Sequence, residues 1–276
     1  MSIVQAPIKG SEVAMSHVAV EGRSIAYDHY AGSGDPLVFV HGWCCGRWAF
    51  APQLAHFLAR GHEVLTLDLP GHGDSDPLGG PITISTLAAA VKGTMAAVGI
   101  DQAIVVGHSM GAATALVLAV DAPEVVKAVV AVDPAPMVAR FPDLEPIAGA
   151  NGAFHADDAT REAVFRAFVE GFFHPVAADS IKQLAVRQMT GAPVDTMLGC
   201  WEAMFDMDGP AVLAAVRCPV LHIAATPPLN PVETFASMVS DCTTGSTVGA
   251  GHFTQLEVPA QVNSMIEHFL VALAAR

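Results

Sequence analysis

Short apolar runs alternate along the chain with longer stretches of helical spacing. His17–Val20 and Ser24–Tyr30 read as two strands joined through Glu21-Gly22, a hairpin. The run Pro36–Val40 (PLVFV) is apolar at successive positions rather than at alternate ones, the mark of a strand covered on both faces. Helical periodicity follows from Trp48 to Arg60, then a strand at Glu63–Leu67 and a helix over Ile82–Val98. A buried strand at Ala103–Val106, a helix at Ser109–Val120 and a strand at Val125–Val132 continue the alternation. It breaks after Asp133. From Pro134 to about Gly209 there is no buried strand, only helical patches carrying Phe165, Phe168, Phe172, Phe173, Met197, Trp201 and Phe205. The pattern then resumes with a strand at Val220–Ala224, a helix near Val232–Val239, a strand at Ser246–Val248 and a last helix, Pro259–Ala274.

Strands alternating with helices predict an α/β fold with a mostly parallel sheet, here of eight strands, covered by helices. Because the alternation resumes, residues 137–209 read as an inserted helical cap, and residues 1–136 and 210–276 as one core. Composition fits a large apolar interior: 52% of residues are hydrophobic and 14% charged. The net charge of −14, from 27 acidic and 13 basic side chains, disfavours binding to nucleic acid or to anionic membrane surfaces. No apolar stretch approaches the ~20 residues of a membrane span, and the N-terminus shows no basic-then-apolar leader, so the expected compartment is the cytoplasm. Five cysteines, Cys44, Cys45, Cys200, Cys218 and Cys242, have spacings that fit neither a disulfide framework nor a zinc site. No metal or cofactor is expected. The partner is expected to be a small hydrophobic molecule, and oligomeric state is left open.

The chemistry concentrates where strands end. Gly107-His108-Ser109-Met110-Gly111 lies between a buried strand and a helix, the strand–turn–helix setting in which G-x-S-x-G has meaning. A serine on so tight a turn lifts its hydroxyl above the sheet, and side chains two residues to either side would collide. The following helix turns its N-terminal amides toward developing negative charge. His252, in Gly249-Ala250-Gly251-His252-Phe253, follows the last strand, and an imidazole with an ordinary pKa near ~6.5 suits a general base.

With these motifs the chain resembles the α/β-hydrolase family almost end to end. The resemblance implies Ser109 as nucleophile and His252 as base. His41-Gly42-Trp43, directly after PLVFV, resembles the family's oxyanion loop, which implies the backbone N–H groups of Trp43 and Met110 as donors. Asp68-Leu69-Pro70-Gly71-His72-Gly73-Asp74-Ser75 resembles the family's D-x-P-G-x-G-x-S turn, a structural loop, and His41 is expected to brace rather than react. The chain departs from the common pattern at the acid. Ala224-Ala225-Thr226-Pro227-Pro228-Leu229-Asn230 carries no carboxylate, and Glu233 falls on the next helix. Asp133, at the end of the preceding strand, is the expected triad acid instead. Trp43 and Cys44, with Cys45, are expected at the pocket mouth, and His108 and Phe253 beside the substrate. The expected activity is cleavage of a carboxylic ester or lactone of a medium-sized hydrophobic substrate through an acyl-enzyme. Two alternatives stand: a cofactor-independent dioxygenase of the same fold, and a non-catalytic ligand-binding member.

Overall fold

The computed structural model describes residues 16–139 and 147–276. The N-terminal residues read for a leader, and residues 140–146 of the expected cap, lie outside them. Eight strands form one sheet: β1 Ser16–Val20, β2 Arg23–Tyr30, β3 Ser33–Val40, β4 His62–Leu67, β5 Ala103–His108, β6 Val126–Val132, β7 Val220–Ala224 and β8 Cys242–Ser246. Their spatial order is β1-β2-β4-β3-β5-β6-β7-β8. β2 runs antiparallel to β1 and β4, and the pairs from β4 through β8 are parallel. The apolar runs explain this placement. Along β3, Val38 and Val40 face one hydrophobic cluster while Leu37 and Phe39 face the other, so both faces are covered.

Helices α1 (Ala51–Leu58) and α11 (Pro259–Ala274) cover one face, where Phe57, Ile266 and Phe269 pack with Phe39 and Val130. Helices α2 (Ile84–Ala97) and α3 (Met110–Asp121) lie on the other with Leu87, Val91 and Leu116. α2 begins at a reciprocal capping box: Thr83 accepts from the Thr86 amide, and Thr86 accepts from the Thr83 amide. Four helices follow β6: α4 Ile147–Phe154, α5 Asp158–Glu170, α6 Asp179–Thr190 and α7 Val194–Asp206. Then come α8 Gly209–Ala215, α9 Val232–Met238 and the short α10 Thr254–Glu257. Among the described residues no helix is long and apolar enough to cross a membrane.

Two elements differ from the sequence reading. The last strand is Cys242–Ser246 rather than Ser246–Val248, in register with β7 from Val220↔Cys242 to Ala224↔Ser246. It is an edge strand, largely unburied and polar (CTTGS), so no apolar run marks it. The helix expected from Trp48 begins as a 3₁₀ turn, Arg47–Phe50, and becomes α-helical only at Ala51. Pro52 supplies no amide proton and suits a helix's first turn.

Candidate active site

Between Ala103 and Ala119 every residue is buried except Ser109. Its backbone sits at φ 55°, ψ −120°, a conformation that L-residues rarely adopt and that costs on the order of 1–3 kcal/mol. The flanking glycines are obligatory on steric grounds. A Cβ on Gly107 would lie 2.2 Å from the Gly111 carbonyl oxygen, and one on Gly111 would lie 2.1 Å from that of Val40. Both obstacles are backbone atoms. The turn therefore fits between two strand ends only as G-x-S-x-G, and its serine is pushed out of the sheet. The Ser109 amide bonds the Val132 carbonyl at 3.1 Å, which ties the elbow to the end of β6.

One residue beyond that end, Asp133 sits fully buried at φ 36°. Its Oδ2 accepts from His252 Nδ1 at 2.6 Å. The other oxygen, Oδ1, accepts from the amides of Ala225 at 3.1 Å and Leu229 at 3.4 Å. The stretch that lacks a carboxylate thus supplies amides to a carboxylate on the neighbouring strand. Asn230, which the sequence reading passed over, fixes this junction. Its side chain accepts from the Met137 and Val138 amides and donates to the carbonyls of Pro134 and Ala135. An asparagine in a loop carries no sequence signal of such a role. Glu233 is exposed on α9.

His252 has its backbone bonded on both sides. Its amide donates to the Phe172 carbonyl at 2.7 Å, and its carbonyl accepts from His108 Nε2 at 2.9 Å. The imidazole lies between the rings of His108 and Phe172, with centroid distances of 4.6 and 4.7 Å. Glu257 closes the loop. One carboxylate oxygen accepts from the amides of Gly251 (3.1 Å) and His174 (3.0 Å), bridging the histidine loop to the segment after α5.

The loop after β3 is braced by two neutral histidines. His41 Nε2 accepts from the Leu69 amide at 2.9 Å, while its Nδ1–H donates to the Gly42 carbonyl. His72 Nε2 accepts from the Cys44 amide at 3.2 Å, while its Nδ1–H donates to the Pro70 carbonyl. Burial pushes His41 down to about 4 and His72 to about 3. Asp68, in the same turn, accepts from the amides of Arg47 and Asp74 and pairs with the Arg47 guanidinium at 3.1 Å. The Cys44 amide is taken by His72, and the Cys45 amide by the Gly42 carbonyl at 3.1 Å. Met110 opens α3, where the first amides have no partner within the helix.

The side chains expected at the pocket mouth are instead enclosed: Trp43 is 4%, Cys44 2% and Cys45 4% exposed. The Trp43 indole donates to the Met197 carbonyl at 2.8 Å and packs against Phe154, Phe165 and Trp201, so it anchors the loop to the helical segment. Burial, reinforced by Cys200 and Cys45, raises the Cys44 thiol well above its usual range, which disarms it as a nucleophile. Phe253 stacks on Phe173 at 4.9 Å, and its ring is 1% exposed. Among the described residues no three His, Cys, Asp or Glu side chains gather as a metal site requires.

A serine on a strained strand-to-helix turn thus stands beside a buried histidine–carboxylate pair whose acid ends the neighbouring parallel strand. The model of the alpha/beta hydrolase family matches residues 37–265. The chain belongs to that family. This alpha/beta hydrolase is 39% identical over 117 residues, 42% of its length, to the dihydrolipoyllysine-residue acetyltransferase component of the acetoin cleaving system of Cupriavidus necator, and covers 30% of that protein. It is 38% identical over 120 residues, 41% of its length, to the sn-1-specific diacylglycerol lipase ABHD11 of Xenopus laevis, and covers 38% of it. The alpha/beta hydrolase thus spans well under two thirds of these relatives. The solved structure of Est816, an N-acyl homoserine lactone degrading enzyme, superposes with a TM-score of 0.79 at 23% identity, covering 92% of this chain and all of that one. At that identity the likeness is one of fold.

Proposed function

We propose that the protein is a serine hydrolase that opens a carboxylic ester or lactone through an acyl-enzyme on Ser109. The observation that carries this reading is the 2.6 Å bond from His252 Nδ1 to the buried carboxylate of Asp133. A carboxylate accepts only, so the proton sits on Nδ1 and Nε2 is the free base. In the first step His252 Nε2 takes the Ser109 proton as Oγ attacks the carbonyl carbon, and Asp133 stabilises the imidazolium. The amides of Trp43 and Met110 receive the oxyanion, an arrangement that contributes about 3 kcal/mol per donor. Collapse expels the alkoxide, which takes the proton from His252. Water, deprotonated by the same nitrogen, then attacks the acyl carbon and releases acid and free serine. In a lactone the leaving alcohol stays tethered to the acyl group, so the product is one hydroxy acid.

Helices α4–α7 act as a cap in this reading. Their inner face is aromatic, with Phe154, Phe165 and Trp201 packed around Trp43, and an apolar roof of this kind supports a medium-sized hydrophobic acyl or alcohol group. Ester cleavage by the lipase relative and lactone degradation by Est816 are chemistries of the same acyl-transfer type. The test pairs a fluorophosphonate probe, with its adduct mapped by mass spectrometry, with a panel of p-nitrophenyl esters and acyl lactones assayed under argon. The expected result is a single adduct on Ser109 and oxygen-independent turnover. No adduct together with turnover that requires oxygen would replace hydrolysis with the dioxygenase reading.

A further inference from the structure

His108 is 1% exposed, and neither ring nitrogen touches solvent. Its Nε2 lies 2.9 Å from the His252 carbonyl oxygen, which can only accept, so Nε2 carries the proton. Nδ1 then holds a lone pair, and it has no hydrogen-bond partner. It faces the oxyanion loop: a Cβ on Gly42 would lie 3.0 Å from it. A buried acceptor without a partner is destabilising, a cost that a phenyl ring in the same place avoids. The return on that cost is one bond, from Nε2–H to the peptide of His252. Burial, reinforced by the neighbouring His252, holds the His108 ring neutral well below the ordinary histidine range, so no second cation stands 4.6 Å from the base.

The placement of that bond matters. The His252 peptide has two contacts outside the triad: its amide is held by the Phe172 carbonyl and its own carbonyl by His108. His108 is also covalently next to Ser109 and packs on Phe253 at 5.1 Å. A single ring thus links nucleophile, base loop and oxyanion loop. We propose that His108 is a positioning residue, whose Nε2–H clamps the His252 carbonyl and sets the imidazole between Asp133 and Ser109. The proposal rests on His252 being the base of the reaction.

The test compares His108→Gln, which keeps an N–H donor near the Nε2 position, with His108→Leu, which fills the space without one. His108→Leu should lower kcat by about 10²-fold with KM within a few-fold, because a base displaced by ~1 Å costs about that much. His108→Gln should recover most of the loss, and fluorophosphonate labelling rates should follow the same order. A readout independent of substrate is the downfield ¹H NMR resonance of His252 Nδ1–H, identified by its disappearance in Asp133→Asn. It should persist in His108→Gln and broaden or vanish in His108→Leu. Equal losses in the two variants would reduce His108 to packing and overturn the proposal, as would an unchanged resonance and rate in His108→Leu. If the wild-type protein shows the resonance and its His108 dependence but no ester turnover, the clamp stands and the hydrolase reading falls.

Discussion

Asp133→Asn should abolish most turnover while leaving the fold intact, and the local geometry says why. Asn is isosteric with Asp and tolerates the positive φ of 36° at this position. It can be placed in two ways. With its oxygen kept toward the amides of Ala225 and Leu229, its NH₂ group meets His252 Nδ1. The imidazole must then carry its proton on Nε2, which can no longer accept one from Ser109. With the amide flipped, the Nδ1–H bond survives, but the NH₂ group faces two backbone N–H groups in a site with no solvent access. The buried Ala225 donor left unpaired costs about 1–3 kcal/mol, and the half-buried Leu229 amide adds to it, so the first arrangement prevails. Holding the wrong tautomer in a Ser-His-Asp triad lowers kcat by about 10⁴, equivalent to about 5 kcal/mol. The assay is steady-state hydrolysis of a short p-nitrophenyl ester beside a thermal melt. A variant within tenfold of wild type and with an unchanged melt would refute the reasoning, because neither placement of the amide allows it.

Ser109→Gly and Ser109→Ala should both be inactive, yet the glycine variant should be the more stable. Relief of about 1–3 kcal/mol of strain at φ 55° outweighs the ~1 kcal/mol entropic penalty of glycine, and urea midpoints measure the difference. Gly251→Ala should cut kcat about 10²-fold, since the new Cβ would sit 2.3 Å from the Phe172 carbonyl oxygen and must push the histidine loop aside; wild-type kinetics would contradict this. Stability should fall as pH drops below about 6.5, because the unfolded chain then takes up protons that His41, held near about 4, and His72, held near about 3, refuse in the fold. His72→Gln should flatten that slope by up to ~1.4 kcal/mol per pH unit between pH 6 and 4, read from urea melts, and an unchanged slope would clear His72 of the effect.

Much of the frame was legible because its determinants are local. Pro36–Val40, Val220–Ala224 and Pro259–Ala274 declare themselves by apolar period, and Gly107 and Gly111 by a spacing that two steric collisions enforce. The bond between Asp133 and His252 was legible from an absence: the Thr226-Pro227-Pro228 stretch has no acid, and the adjacent parallel strand does. The edge strand β8 was displaced because its polar residues are defined only by register with β7. The links around His252 were hidden for a related reason. The bonds made by Phe172, Glu257 and His108 each end on a backbone group of a distant segment, and a backbone group has no residue type to read. The contacts of the Trp43 indole were not legible for the same reason, since it donates to Met197 and packs on Trp201, both more than 150 residues away in sequence.

The contact between the Phe172–His174 segment and the Gly251–Glu257 segment bears on how such a protein diverges. Two amide hydrogen bonds cross there: one joins the two backbones, and the other runs from the His174 amide to the carboxylate of Glu257, which also holds the Gly251 amide of its own segment. Helices that only roofed the sheet could be swapped for those of a relative to change substrate preference, with the chemistry left as it was. Here a graft that changes the backbone path through residues 172–174 displaces the Phe172 carbonyl that holds the His252 amide, so selectivity and rate would change together. A chimera that exchanges α6 and α7 while leaving Phe172–His174 in place keeps that acceptor, and is the recombination this architecture permits.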